Sequence, residues 1–101
     1  MGLEKTEKQS YERYFIFGNF EDVMDADETI TSSEFLAEDN TGQDALADIL
    51  VVGDAYVYGT KQYVRVKDGE EAKSPYHITI RIETSKGNRW EVDGQVKVKE
   101  K

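Results

Sequence analysis

From residue 76 to residue 99, apolar and polar side chains alternate almost without a break. Tyr76, Ile78, Ile80 and Ile82 are apolar, and His77, Thr79, Arg81 and Glu83 between them are polar. After Ser85-Lys86-Gly87 the alternation returns as Trp90, Val92, Gly94, Val96 and Val98. A period of two over two runs, joined by a short glycine-containing loop, predicts a half-buried β-hairpin. A three-residue loop suits a type I turn closed by a left-handed residue, a conformation that Gly87 takes without a Cβ clash. Thr84 then faces Asn88, Ile82 faces Trp90, and Ile80 faces Val92. On the other side Glu83 meets Arg89 and Arg81 meets Glu91. Sliding by two residues would set Glu83 against Glu91, which is repulsive. Sliding by one would mix the faces. A hairpin cannot bury its own apolar face, so the rest of the chain must supply a second sheet.

Upstream, residues 1–10 are polar and are expected to form a disordered N-terminal segment. The aromatic run 11–17 reads as a strand that Gly18-Asn19 breaks. Both of its faces are apolar near the end, which suggests cover on two sides. Phe20, Val23 and Met24 share one side of a single helical turn. Residues 29–37 read as a strand with poor alternation and a bulge near Ser32-Ser33. Residues 38–43 are turn chemistry. Asp44 is placed to cap one helical turn over 45–50, which runs into a short extended piece. Gly53-Asp54 reads as a turn, residues 55–58 as a short strand, and residues 61–67 as another, with Val64 and Val66 facing inward. Pro75, the one proline, marks the entry to the final hairpin. The expected fold is therefore all-β: a sandwich of about seven short strands with one or two single helical turns, forming one domain over residues 11–101.

Composition narrows the chemistry. The 101 residues hold no cysteine, which removes disulfide frameworks, thiol catalysis and zinc–thiolate sites. A net charge of −8 disfavours non-specific nucleic-acid binding and reads most simply as solubility. The longest aliphatic run, Ile49-Leu50-Val51-Val52, is too short to span a bilayer, so no membrane partner is expected. The charged start Met1-Gly2-Leu3-Glu4-Lys5-Thr6 is followed by no apolar signal core. Gly2 and Thr6 match a myristoylation pattern, which chance or the start of an expressed sequence explains better.

From residue 22 onward the chain resembles a family of small Ig-like or fibronectin-III-like β-sandwich proteins from tailed-phage and prophage structural gene clusters. Asp25-Ala26-Asp27-Glu28-Thr29-Ile30-Thr31-Ser32-Ser33 is similar to that family's "D-x-D-E-x-I-S-S". Gly53-Asp54-Ala55-Tyr56-Val57-Tyr58-Gly59-Thr60 resembles its paired short strands around "S-G-T". Val64-Arg65-Val66-Lys67-Asp68-Gly69 resembles "V-x-V-x-G-G". Tyr76-His77-Ile78-Thr79-Ile80-Arg81-Ile82-Glu83-Thr84-Ser85-Lys86-Gly87-Asn88 resembles "Y-x-I-x-x-R-I-x-T-S-x-G-R", and Val96-Lys97-Val98-Lys99-Glu100 the closing "V-x-V-K-E". Asp68-Gly69 lacks the second glycine of the pair, Asn88 replaces the basic residue, and residues 1–19 have no counterpart. The resemblance implies a non-enzymatic structural or adaptor component of a virion, from the tail, a fibre or the head–tail junction. It implies other virion or tail proteins as partners, homo-oligomerisation on assembly, a bacterial cytoplasm before assembly, and no catalytic residues or cofactors.

Candidate chemistry is sparse. Asp22, Asp25, Asp27 and Glu28 form one acidic cluster, and Glu38, Asp39, Asn40 and Asp44 a second. Neither has EF-hand spacing, and in so acidic a chain both read first as solvated loops. His77, the one histidine, falls on the solvent face opposite Gln95. No nucleophile motif accompanies it, so no enzyme is expected. Trp90 and Tyr76 fall on the core face and read as packing. Tyr56 and Tyr58 share a face of one short strand, and if Val57 turns inward the two rings are exposed together as a partner contact. The alternative function is a ligand-binding sandwich for carbohydrate or Ca²⁺, which calls for coplanar exposed rings or a carboxylate cage.

Overall fold

The computed structural model describes residues 6–100; the Gly2 acylation pattern and the rest of residues 1–5 lie outside the described residues. The strands in chain order are β1 (Thr6–Lys8), β2 (Tyr14–Asn19), β3 (Ile30–Glu38), β4 (Leu50–Tyr58), β5 (Lys61–Val66), β6 (Tyr76–Thr84) and β7 (Arg89–Val98). They make two sheets, β1-β7-β6-β3 and β2-β5-β4. Neighbours are antiparallel except for β1, which runs parallel to β7. One helical turn, α1 (Leu46–Ile49), precedes β4, and 3-10 turns lie at Glu21–Val23 and Glu71–Lys73.

The β6–β7 hairpin has the expected register. Ile82 pairs with Trp90, Ile80 with Val92, Glu83 with Arg89 and Arg81 with Glu91. The turn closes through Thr84 N–H to Asn88 O and Gly87 N–H to Thr84 O, with Gly87 at φ 79°. Its inward face buries Tyr76, Ile78, Ile80, Ile82, Val92, Val96 and Val98. From the facing sheet come Ile16, Leu50, Val64 and Val66, with Phe20, Phe35, Ala37 and Ile49 closing the sides. Each large apolar side chain buried this way contributes roughly 1.5–3 kcal/mol. Trp90 packs against this core at its margin rather than inside it, and its Nε1–H is the one buried side-chain polar atom among the described residues without a partner. The bulge near Ser32 is present as a register break between Ile30 and Ser32. Asp44 accepts the Leu46 N–H at 3.1 Å, beside the α1 turn.

With β2, β5 and β4 in the places of strands B, E and D, and β3, β6 and β7 in those of C, F and G, the order is that of an immunoglobulin sandwich. Tyr76 occupies the tyrosine corner. It opens β6, it is 1 % exposed, and its Oη accepts the Glu70 N–H at 2.9 Å.

Five expectations are corrected. Thr6–Lys8, placed outside the domain by its polarity, pairs with Val96, Lys97 and Val98. A three-residue strand held by backbone bonds needs no apolar pattern, and the Lys8 ammonium donates to Gln9 O, Ser10 O and Asp68 O. The first aromatic strand is Tyr14–Asn19 rather than 11–17. Gly18 does not break it; a Cβ there would lie 2.6 Å from Val92 Cγ2, so glycine lets the two sheets approach. The cover expected on both of its faces is present on one. Gly53-Asp54 is not a turn, because β4 runs through it with a register break between Val51 and Tyr56.

Candidate contact surface

The outer face of β2-β5-β4 follows from strand parity. Ile16, Val64 and Val66 point inward, so Phe15 and Phe17 on β2 and Lys61, Tyr63 and Arg65 on β5 point outward. Tyr56 pairs with Tyr63 and Tyr58 with Lys61, which puts both β4 tyrosines on that face. Gln62 turns inward and is buried. Its amide donates to Tyr56 O and Tyr63 O, and its Oε1 accepts the Ser33 hydroxyl of the other sheet. The bond from the Gln62 amide to Tyr56 O ties β5 to β4 where the rings align, and the Ser33 bond anchors Gln62 to the other sheet.

Four rings form one continuous array. Tyr56 and Tyr63 stack at 4.6 Å with an interplanar angle of 3°. Phe15 meets Tyr56 edge-on at 5.2 Å and Tyr63 at 6.5 Å, and Phe17 meets Tyr63 at 5.1 Å. Pairs of this kind are worth about 0.5–1.5 kcal/mol each, so the face is built before any partner arrives. Two cations lie over the β2 rings. The Arg65 guanidinium carbon is 4.3 Å from the Phe15 centroid, and Lys61 Nζ is 5.1 Å from that of Phe17. Arg65 also bonds Asp54 at 2.9 Å. Tyr58 lies at the edge of the array and is 74 % exposed, with Tyr56 at 45 %. Val57, whose inward turn was the condition for exposing the two rings together, is itself 43 % exposed, so the end of β4 is uncovered on both sides. Phe15, Phe17 and Tyr63 were not assigned to this surface from the sequence; the signal present was the two-sided apolar end of β2.

The acidic clusters are occupied by the protein's own groups. Lys86 Nζ lies 2.9 Å from Asp27 and 2.9 Å from Asp25. The hydrogen bond from Lys86 holds the Asp27 carboxyl below its usual range, and the two aspartates raise the lysine above its own. Glu28 is buried and accepts from the Thr84 hydroxyl, Asn88 Nδ2 and the Asp25 N–H. The Thr84 bond leads in lowering its pKa. Asp39 accepts from the Thr41 hydroxyl and from the N–H groups of Thr41 and Gln43, and its pKa is lowered with the Thr41 hydroxyl as the first cause. Asn40 Nδ2 donates to Ala72 O and Ser74 O. Among the described residues no three His, Asp or Glu side chains converge as a metal requires.

His77 is exposed opposite Gln95, with Nε2 3.5 Å from Asp93 Oδ1. The Thr79 hydroxyl donates to that same oxygen at 2.8 Å. The carboxylate thus stands between hydroxyl and imidazole. A Ser-His-Asp relay needs the imidazole in the middle, taking the hydroxyl proton.

No protein-family model matches the chain, and no curated protein matches it. Among solved structures the chain is similar to the N-terminal Ig1-2 module of the Drosophila receptor protein tyrosine phosphatase DLAR, with a TM-score of 0.56 at 8 % identity. The match takes in 100 % of this chain and 47 % of that one, so the chain spans about half its length. The likeness concerns the fold alone, an Ig-like β-sandwich.

Proposed function

We propose that this Ig-like sandwich is a non-enzymatic structural or adaptor component of a phage or prophage virion, from the tail or head–tail region. It acts by protein–protein assembly through the outer face of β2-β5-β4. The observation that carries the reading is the ring array continuous with exposed Tyr56 and Tyr58 at an uncovered strand end. Large rings that are already rigid lose little entropy on docking, which is why aromatic side chains anchor protein interfaces. The ordered series of local motifs from residue 25 to residue 100 supplies the phage context. Its partners are other virion or tail proteins, with self-association in a symmetric ring on assembly, and it resides in the bacterial cytoplasm until then.

A sugar platform would present open ring faces side by side, whereas Tyr56 and Tyr63 cover each other. A Ca²⁺ cage would need carboxylates that Lys86 already holds.

The test is capture of tail and head–tail proteins of the same genome, each purified, by the wild type and by a Tyr56→Ser/Tyr58→Ser variant. The expected result is saturable capture by the wild type and loss in the variant, which still melts cooperatively at a temperature lowered by the lost Tyr56 ring pairs. Capture indifferent to both tyrosines overturns the reading. So does failure with every virion protein combined with a saturable response to Ca²⁺ or a glycan.

A further inference from the structure

We infer that the partner element taken up by this face is an extended acidic peptide strand, added along the free edge of β2. The inference rests on the assembly reading above and names the chemistry of its partner.

The phase of the β2 ladder shows what the edge offers. Phe20 N–H donates to Thr60 O at 2.9 Å, continuing the register in which Gly18 meets Gln62 and Ile16 meets Val64. In an antiparallel pair, bonded and non-bonded positions alternate. Tyr14, Ile16 and Gly18 therefore spend their backbone groups on β5. Phe15, Phe17 and Asn19 direct their N–H and C=O groups away from it. In an immunoglobulin sheet of the ABED type strand A lies there. Here the first strand pairs with β7 instead, and among the described residues nothing pairs with that side of β2.

The other edges are poorer templates. β4 is broken between Val51 and Tyr56, and β3 between Ile30 and Ser32. Ala37 O on β3 already accepts the Ala45 N–H at 2.8 Å. β7 is paired with β1 at Val96–Val98 only, and its open part, Arg89–Gln95, carries Glu91 and Asp93 on the solvent face, which repel an acidic strand. β2 keeps six consecutive pairs without a break.

Charge selects the occupant. The chain carries −8 overall, yet Lys61 and Arg65 lie along β5, with Lys67 just past its end and Asp54 as the carboxylate bonded to Arg65. Arg65 and Lys61 lean from β5 across Phe15 and Phe17, towards the open edge. Lys61 has no ion-pair partner among the described residues. An added strand sets every second side chain on this outer face, about 6.7 Å apart. Carboxylates at those positions come alongside Arg65 and Lys61, and main-chain bonds to Phe15, Phe17 and Asn19 set the register.

The probe is an acetylated, amidated octapeptide of alternating Glu and Val, with a Lys/Val twin and a form N-methylated at every second residue. Amide hydrogen exchange and NMR shifts are read on the whole protein. The expected result is slowed exchange at Phe15, Phe17 and Asn19 with the Glu peptide alone. Lys61→Gln/Arg65→Gln should weaken its binding roughly tenfold while the protein still melts cooperatively. Binding of both charged peptides alike, protection at β3 or β4, or no binding at millimolar peptide overturns the inference. Preferential uptake of an oligothymidylate probe by the same residues also overturns it. Tyr58-dependent capture of a virion protein that persists in any of these cases leaves the assembly reading standing and removes only the added strand.

Discussion

Tyr76→Phe removes one oxygen from the centre of the fold and nothing else. The Tyr76 ring is buried between the sheets, and its hydroxyl is the acceptor for Glu70 N–H at 2.9 Å. The loop that this bond holds leaves β5 through Asp68 at φ 41° and Gly69 at φ 87°. Phenylalanine keeps the ring and its contacts, so the loss reduces to a part-buried amide without an acceptor. Such a group costs about 1–2 kcal/mol. In a domain of this size each kcal/mol lowers Tm by roughly 4–8 °C, so a fall of about 4–16 °C is expected. Urea unfolding is the assay: the midpoint should drop while m stays constant, since the surface exposed on unfolding is unchanged. Native-state hydrogen exchange should show Glu70 losing more protection than the β6 amides. A variant within about 0.3 kcal/mol of wild type would show that the corner bond is replaced by water and does not hold the loop.

Gly69→Ala should cost about 2 kcal/mol or more, because its left-handed conformation disfavours any Cβ and that atom would lie 2.9 Å from both Ile49 Cδ1 and Val98 Cγ2; thermal melts check it. Glu28, lowered first by the Thr84 hydroxyl, binds its proton less readily folded than unfolded. Its contribution is present above the ordinary value of 4.5 and is lost as pH falls through the lower folded value, so Glu28→Gln should flatten the stability–pH slope below pH 4.5 in a melt series. Lys8→Met strands the carbonyls of Gln9, Ser10 and Asp68, with an expected loss of about 2 kcal/mol. It should also speed exchange at the Lys99 amide, which donates to Lys8 O.

The hairpin was legible because three local signals agree on one register: the period-two pattern, the Gly87 turn, and the pairs Glu83–Arg89 and Arg81–Glu91, both present as ion pairs. The bulge at Ser32 was legible as failed alternation. What the sequence hid depends on partners far away along the chain. β1 is three polar residues whose pairing partners begin at Val96. Glu28 reads as one more solvated acid until Thr84 and Asn88 fold over it. Gln62 occupies an apolar position by parity, and the facing Ser33 together with the Tyr56 and Tyr63 carbonyls explains why an amide is accepted there. Tyr56 and Tyr58 could be paired by parity within one strand. Adding Phe15, Phe17 and Tyr63 required the order β2-β5-β4, which no local pattern contains.

Lys8 links the fold to the surface. The first strand could lie on either sheet of a sandwich, and its ammonium fastens it to the β7 side by bonding the Asp68 carbonyl, where the chain leaves β5. Burial lowers the pKa of that ammonium, so the contact is made against a desolvation cost and is sustained by three carbonyl acceptors. With the first strand held there, the edge of β2 is left open beside its row of rings. An open regular edge is a hazard for a protein that must stay dispersed until assembly. The net charge of −8 counters it, since copies repel one another at long range. At physiological salt that repulsion is screened beyond about 8 Å. Over the β2 rings themselves the charges a partner meets are Lys61 and Arg65, so the same molecule can repel its own copies at long range and still accept the acidic strand inferred above.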